Sequence, residues 1–108
     1  MVYCENDNMC FGVMQALDEL GIAYGDGGVT LISFDAGRTA LSYCKDGKID
    51  LCAECNPLHG PRVRALIEQL ARGETPEKLS YMPEALFTAD TLTPEDAPDF
   101  YANRVRLL

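Results

Sequence analysis

Val29-Thr30-Leu31-Ile32-Ser33-Phe34-Asp35-Ala36 is an almost continuous apolar run that ends on a carboxylate. β-branched and aromatic residues favour extended chain. A run with so little polar alternation predicts a strand over Val29–Phe34 with helices over both of its faces, as in parallel sheets. Working outward from it, the same unit recurs on either side. Val2 to Glu5 is a short strand that leads into Asn6-Asp7-Asn8, and Ile49 to Cys55 is a strand that leads into Glu54-Cys55-Asn56. Each polar strand end is followed by a helix-like segment. In open α/β sheets ligands settle at the carboxyl ends of the strands, where loop side chains and helix N-termini converge. Three such ends in succession describe one side of a small-molecule site.

The helices are marked by their ends. Asn6, Asp7 or Asn8 can cap a helix running to about Leu20, with Met9, Val13, Ala16, Leu17 and Leu20 on one face and Gly21 as its stop. A shorter helix is predicted from Gly37 or Arg38 to Cys44, closed by the Asp46-Gly47 turn. Pro61 to Arg72 has Pro at its start, Gly73 beyond its end, and Val63, Leu66, Ile67 and Leu70 on one face. Ala85 to Thr88 is a candidate fourth strand, and Thr93-Pro94-Glu95-Asp96 reads as another helix start. Alternating strands and helices imply right-handed crossovers and a mostly parallel sheet of three to four strands.

Composition narrows the function classes. The 108 residues carry a formal charge of −8, which opposes binding to a phosphate backbone, where clustered Lys and Arg are needed. No apolar run approaches the roughly 20 residues that span a bilayer. No basic region followed by an apolar segment reads as an export signal. A strand beginning one residue after Met1 leads us to expect a piece of a longer protein. Five cysteines, Cys4, Cys10, Cys44, Cys52 and Cys55, make an odd number, which argues against a disulfide framework. Most lie in apolar surroundings, where a reduced thiol acts as a small hydrophobe.

Cys52, Cys55 and His59 have the spacing of a partial zinc site, with Cys44 as a conceivable fourth ligand. An odd separation along a strand points Cys52 and Cys55 to opposite faces, however, so neither a metal nor a redox cofactor is expected. His59 reads as a hinge or cap residue. Gly25 to Gly28 lacks the Lys and Ser/Thr of a phosphate loop, and no nucleophile–base pair is visible, so an enzyme is not expected.

Four stretches in order carry a family resemblance: Tyr3 to Met9, Leu31 to Ala36, Asp46 to Asp50, and Glu54 to Pro61. Together, over roughly residues 2 to 90, they resemble the C-terminal third of type I periplasmic sugar-binding proteins, the receptors of ABC sugar importers. The galactofuranose- and ribose-binding branch is nearest. The resemblance implies a partial Rossmann-like lobe. Residues 1–55 would belong to the C-terminal lobe, 56–84 would carry a crossover helix belonging to the N-terminal lobe, and 85–108 would supply a return strand and tail. It also implies that the signal peptide and most of the N-terminal lobe lie outside this sequence.

Site residues follow from the same resemblance. Asn6 matches the Asn of the family's Asn-Asp pair, and its amide offers both donors and an acceptor to a hydroxyl. Asp35 matches the Asp of the Phe-Asp motif, where a carboxylate accepts charge-assisted bonds from adjacent hydroxyls. Cys55 stands where ribose binders place Gln, so Glu54 or Asn56 is a candidate to take over that role. Asn6 and Asp35 are also adequately explained as helix caps, Asp7 as a first-turn charge, and Glu54 as a hinge group. The implied partners are a monosaccharide (a pentose or hexose, with furanose forms included) and, for the intact family, an ABC permease outside the cytoplasmic membrane. Weak or no sugar binding by this chain alone is expected, as is self-association through Val63, Leu66, Ile67 and Leu70. The competing readings are an effector-binding domain of a lactose-repressor-like regulator and a free-standing α/β interaction module. As it stands, without a signal, the chain would be cytoplasmic.

Overall fold

Three strand–helix units and a closing strand follow one another along residues 1–92, the part of the chain that the computed structural model describes. The strands are β1 (Val2–Tyr3), β2 (Leu31–Asp35), β3 (Leu51–Glu54) and β4 (Leu86–Phe87). The helices are α1 (Asp7–Glu19), α2 (Arg38–Lys45) and α3 (Gly60–Ala71). The helix start expected at Thr93-Pro94-Glu95-Asp96 lies outside the described residues. The sheet runs β1-β2-β3-β4, the first three strands parallel and β4 antiparallel to β3. This is the α/β architecture expected of alternating strands and helices.

Local chemistry sets the element ends. The Asn6 side chain accepts from the Met9 N–H at 2.9 Å, so α1 begins with a side-chain cap. It stops where Gly21 takes a left-handed φ of 65°. The face that α1 buries differs from the expected one. Cys10 and Met14 are buried with Phe11, Val13 and Leu17 partly covered, while Met9 and Leu20 are exposed. A cysteine at the centre of the stripe shifts it by one position, because the thiol fills the tight space that a larger residue would not.

A second correction concerns the sheet. Helices α1 and α2 share one core with Leu31 and Cys52, so both cover the same face. That follows from the strand order: successive right-handed crossovers moving in one direction place their helices on one side. Leu31 and Ser33 are fully buried, whereas Ile32 and Phe34 on the opposite face are only half-buried. The apolar run around β2 therefore has helices on one face, not two, among the described residues. Tyr3 stacks obliquely on Phe34 across this open face, with ring centroids 5.1 Å apart.

The covered side is well satisfied. Leu31, Leu41, Ile49, Cys10, Cys44 and Cys52 have essentially no accessible surface. The Asp50 carboxylate accepts from the Leu31 N–H at 2.7 Å, tying the start of β3 to the start of β2. Helix α3 has no buried residue and no extensive contact with the strands or the other helices. Its attachment is polar: Arg62 donates to Ser80 Oγ at 2.6 Å and to Met82 Sδ at 3.4 Å.

Candidate functional site

Because β1, β2 and β3 are parallel, their carboxyl ends lie along one edge of the sheet. Asp35 and Glu54 are register partners at that edge, and Asn6 follows β1 there. The middle strand ends in an unusual turn. Asp35 and Ala36 have φ values of 96° and 56°, in the region that L side chains seldom enter. The turn leaves Asp35 exposed and Ala36 buried. A shallow groove beside it is lined by Asn8, Phe11, Asp35, Arg38 and Thr39, so residues from the starts of α1 and α2 share it with Asp35.

The turn is held from below. Asp7, itself buried, accepts from the Ser33 hydroxyl at 2.5 Å with one carboxylate oxygen and from the Gly37 N–H at 2.6 Å with the other. Sequence reading treats Asp7 as a first-turn charge. A contact reaching 26 and 30 residues ahead leaves no signal in local spacing. Asn6 is a cap as well as a candidate contact: its oxygen is used by Met9, and no hydrogen bond engages its NH2 group among the described residues.

At the third strand end the polar groups turn inward. Glu54 is buried, and its carboxylate accepts from the Ala85 N–H at 3.0 Å while its own N–H donates to the Ala85 carbonyl at 2.8 Å. Asn56 is also buried; its NH2 donates to the Pro83 carbonyl at 3.1 Å and its oxygen accepts from the Leu58 N–H at 2.9 Å. Glu84 accepts from the Asn56 N–H at 3.4 Å. These bonds brace residues 54–58 against 83–85. Cys55 is exposed between them and, with Phe34, Glu54, Glu84 and Leu86, lines a cavity of about 370 Å³ on the open sheet face.

The remaining thiols lie elsewhere. Cys4, Cys10, Cys44 and Cys52 are free and buried. Burial pushes the Cys10 thiol up to about 12, with Cys4 beside it adding to the shift. Cys44 donates to the Phe87 carbonyl at 3.5 Å and Cys52 to the Ala40 carbonyl at 3.7 Å, and their mutual interaction lowers Cys44 and raises Cys52, which burial raises further. Cys52 points into the core, its sulfur 3.7 Å from the Ala40 carbonyl, whereas Cys55 points out. The two sulfurs of the Cys-x2-Cys spacing thus lie on opposite sides, and His59 sits at the α3 N-cap position without a side-chain cap bond.

No protein-family model matches the sequence. The galactofuranose-binding protein of Escherichia coli is 33% identical over 96 residues, 88% of this chain and 30% of its own length. The fructose import binding protein of Bifidobacterium longum is 31% identical over 77 residues, 71% of this chain and 23% of its own length. A Mycobacterium smegmatis protein crystallised with β-D-fucofuranose superposes with a TM-score of 0.75 at 28% identity, covering 97% of this chain and 33% of that one. The chain is a homologue of type I periplasmic sugar-binding proteins. It spans between about a quarter and a third of the length of these relatives. Among the described residues of this sugar-binding-protein homologue, Asp35 stands exposed at the sheet edge, and Asn6 stands half-buried there with its oxygen engaged by Met9. Glu54 and Asn56 stand there with their polar atoms engaged by the 83–85 segment.

Proposed function

We propose that the chain supplies part of one wall of a monosaccharide site in the binding component of an ABC sugar importer. In this reading Asn6 donates from its free NH2 group, and Asp35 accepts from a pair of neighbouring sugar hydroxyls by charge-assisted bonds. Cys55 contributes a weak polar contact at the third strand end. Glu54 and Asn56 act chiefly as braces, since their polar atoms already have partners. The observation that carries the reading is the exposed Asp35 on its left-handed turn, beside the Asn6 cap, in a chain homologous to sugar-binding proteins.

The ligand class we favour is a five-membered-ring sugar, because a galactofuranose-binding relative and a structure holding fucofuranose both match most of the chain. The role is binding and delivery to a permease outside the cytoplasmic membrane, without catalysis. In the family mechanism a sugar touching two lobes shifts the population toward a closed state. Residues 1–55 and 85–108 would then belong to one lobe, 56–84 would carry a helix of the other, and Val63, Leu66, Ile67 and Leu70 would seek a partner surface. With part of the contact set present, the expected Kd for the chain alone is about millimolar or weaker. Protein-observed NMR titration with methyl β-D-galactofuranoside, against the pyranoside as control, tests this. Shifts confined to residues near Asn6 and Asp35, lost in Asp35→Asn, are expected; equal response to the pyranoside, or none at tens of millimolar sugar, overturns it.

A further inference from the structure

The Asp35–Ala36 turn is bracketed by two bonds to one buried side chain. Ser33 lies two residues before Asp35 and Gly37 two residues after it, and Asp7 accepts from both. We propose that Asp7 is the positioning residue of this site: its carboxylate clasps the two flanks of the turn and so holds Asp35 outward in its left-handed conformation. The inference extends the reading of Asp35 as a sugar contact, and its structural half can be tested without sugar.

Three features support a clasp over a simple first-turn charge. A first-turn carboxylate usually interacts with its own helix N-terminus, whereas both oxygens of Asp7 are bonded to the next strand and loop. The group is buried, with 8% of its surface exposed, so these donors take the place of water. Gly37 fits the arrangement sterically: a Cβ there would sit 3.0 Å from the Asp7 oxygen, although its φ of −65° and ψ of 160° suit any residue. A side chain at Gly37 is thus opposed by the carboxylate and not by the backbone.

The test combines Asp7→Ala, Gly37→Ala and Asp7→Asn in the 108-residue chain, reading the backbone HN–Hα couplings and amide shifts of residues 33–37. Asp7→Ala removes both acceptors, and Gly37→Ala crowds one carboxylate oxygen by a few tenths of an ångström while leaving it in the protein. Asp7→Ala should move the Asp35 and Ala36 couplings away from left-handed values while the β1–β2 and β2–β3 amides stay put, and Gly37→Ala should move them in the same direction by less. Asp7→Asn should keep the turn, because the amide oxygen can accept from Gly37 and the NH2 can donate to the Ser33 oxygen. Affinity for methyl β-D-galactofuranoside should fall about tenfold or more in Asp7→Ala and little in Asp7→Asn. Unchanged couplings in Asp7→Ala, or a turn lost in Asp7→Asn as fully as in Asp7→Ala, overturn the clasp. A wild-type chain that binds no furanoside, or an Asp35→Asn chain that binds it normally, removes the functional reading alone, since the couplings decide the clasp by themselves.

Discussion

Asp35 and Ala36 each hold a conformation that costs L residues roughly 1–3 kcal/mol. At Ala36 a small buried side chain adds core contact in partial return. At Asp35 the side chain is exposed and its removal sacrifices no packing. Glycine tolerates positive φ but is more costly to order, by roughly 0.5–1 kcal/mol, so Asp35→Gly should leave a net gain of about 1 kcal/mol. Urea unfolding should show a higher midpoint with unchanged slope, and Tm should rise by about 4–8 °C, while any furanoside response disappears. A lower midpoint would mean that the carboxylate has a stabilising partner. The cysteines give a second prediction at this scale. Cys55 is exposed and the other four are buried, with Cys10 pushed up to about 12 and so protonated across the working range. Iodoacetamide on the native chain at pH 8 should add one label quickly, mapping to Cys55. Labelling of the other four should appear only on unfolding; two fast labels would show that a core thiol is open to solvent.

At the scale of the element, the start of α1 separates two roles that a single residue can hold. Asn6 caps through its oxygen, while in the proposed reading its NH2 group donates to the sugar. Asn6→Ala should therefore cost about 1 kcal/mol of stability through loss of the cap. Asn6→Asp keeps an acceptor at the cap and removes the donors, so stability should hold within a few tenths of a kcal/mol while furanoside response weakens. Equal binding in wild type and Asn6→Asp would leave the residue as a cap only. Much of this was legible in the sequence: the polar strand ends, the Asn6 cap, Gly21 and Gly73, and the strand–helix alternation all rest on local chemistry, whereas Asp35 does not cap α2, whose N-cap position is Gly37. The α1 stripe was not, because helical period alone does not rank Cys10 against Met9 or Val13. The open face of β2 was not either, since a buried run in sequence does not say which layers are there to bury it. The Asp7–Gly37 and Glu54–Ala85 bonds link segments about 30 residues apart and have no local signature. The family resemblance nominates Asn6, Asp35, Glu54, Cys55 and Asn56 together, and only the fold separates the exposed Asp35 from the buried Glu54 and Asn56.

Over the described residues the chain is long and thin, with extents of 60 × 27 × 18 Å. Its Cα radius of gyration is 17.5 Å, against about 13 Å for a compact domain of 100 residues. Two surfaces go with that shape among the described residues: an apolar sheet face without helices, and a helix, α3, without a sheet beneath it. On them Tyr3, Leu86, Val63, Ile67 and Leu70 are between 49% and 65% exposed. Burying one such side chain fully contributes about 1.5–3 kcal/mol, so five half-covered ones offer several kcal/mol in all, close to the lower end of the about 4–15 kcal/mol that association costs. The charge of −8 on each copy adds repulsion at low ionic strength. The balance predicts a concentration-dependent equilibrium that salt moves toward oligomer, by screening charge over a Debye length of about 10 Å at 0.1 M. Light scattering across a concentration series at low and high salt reads it directly. Ile67→Glu, on an exposed position of α3, should shift the chain toward monomer without lowering its unfolding midpoint. A chain that stays monomeric at millimolar concentration in high salt would show that these surfaces are too dispersed to form an interface, and the apolar stripe of α3 would then have no role in self-association.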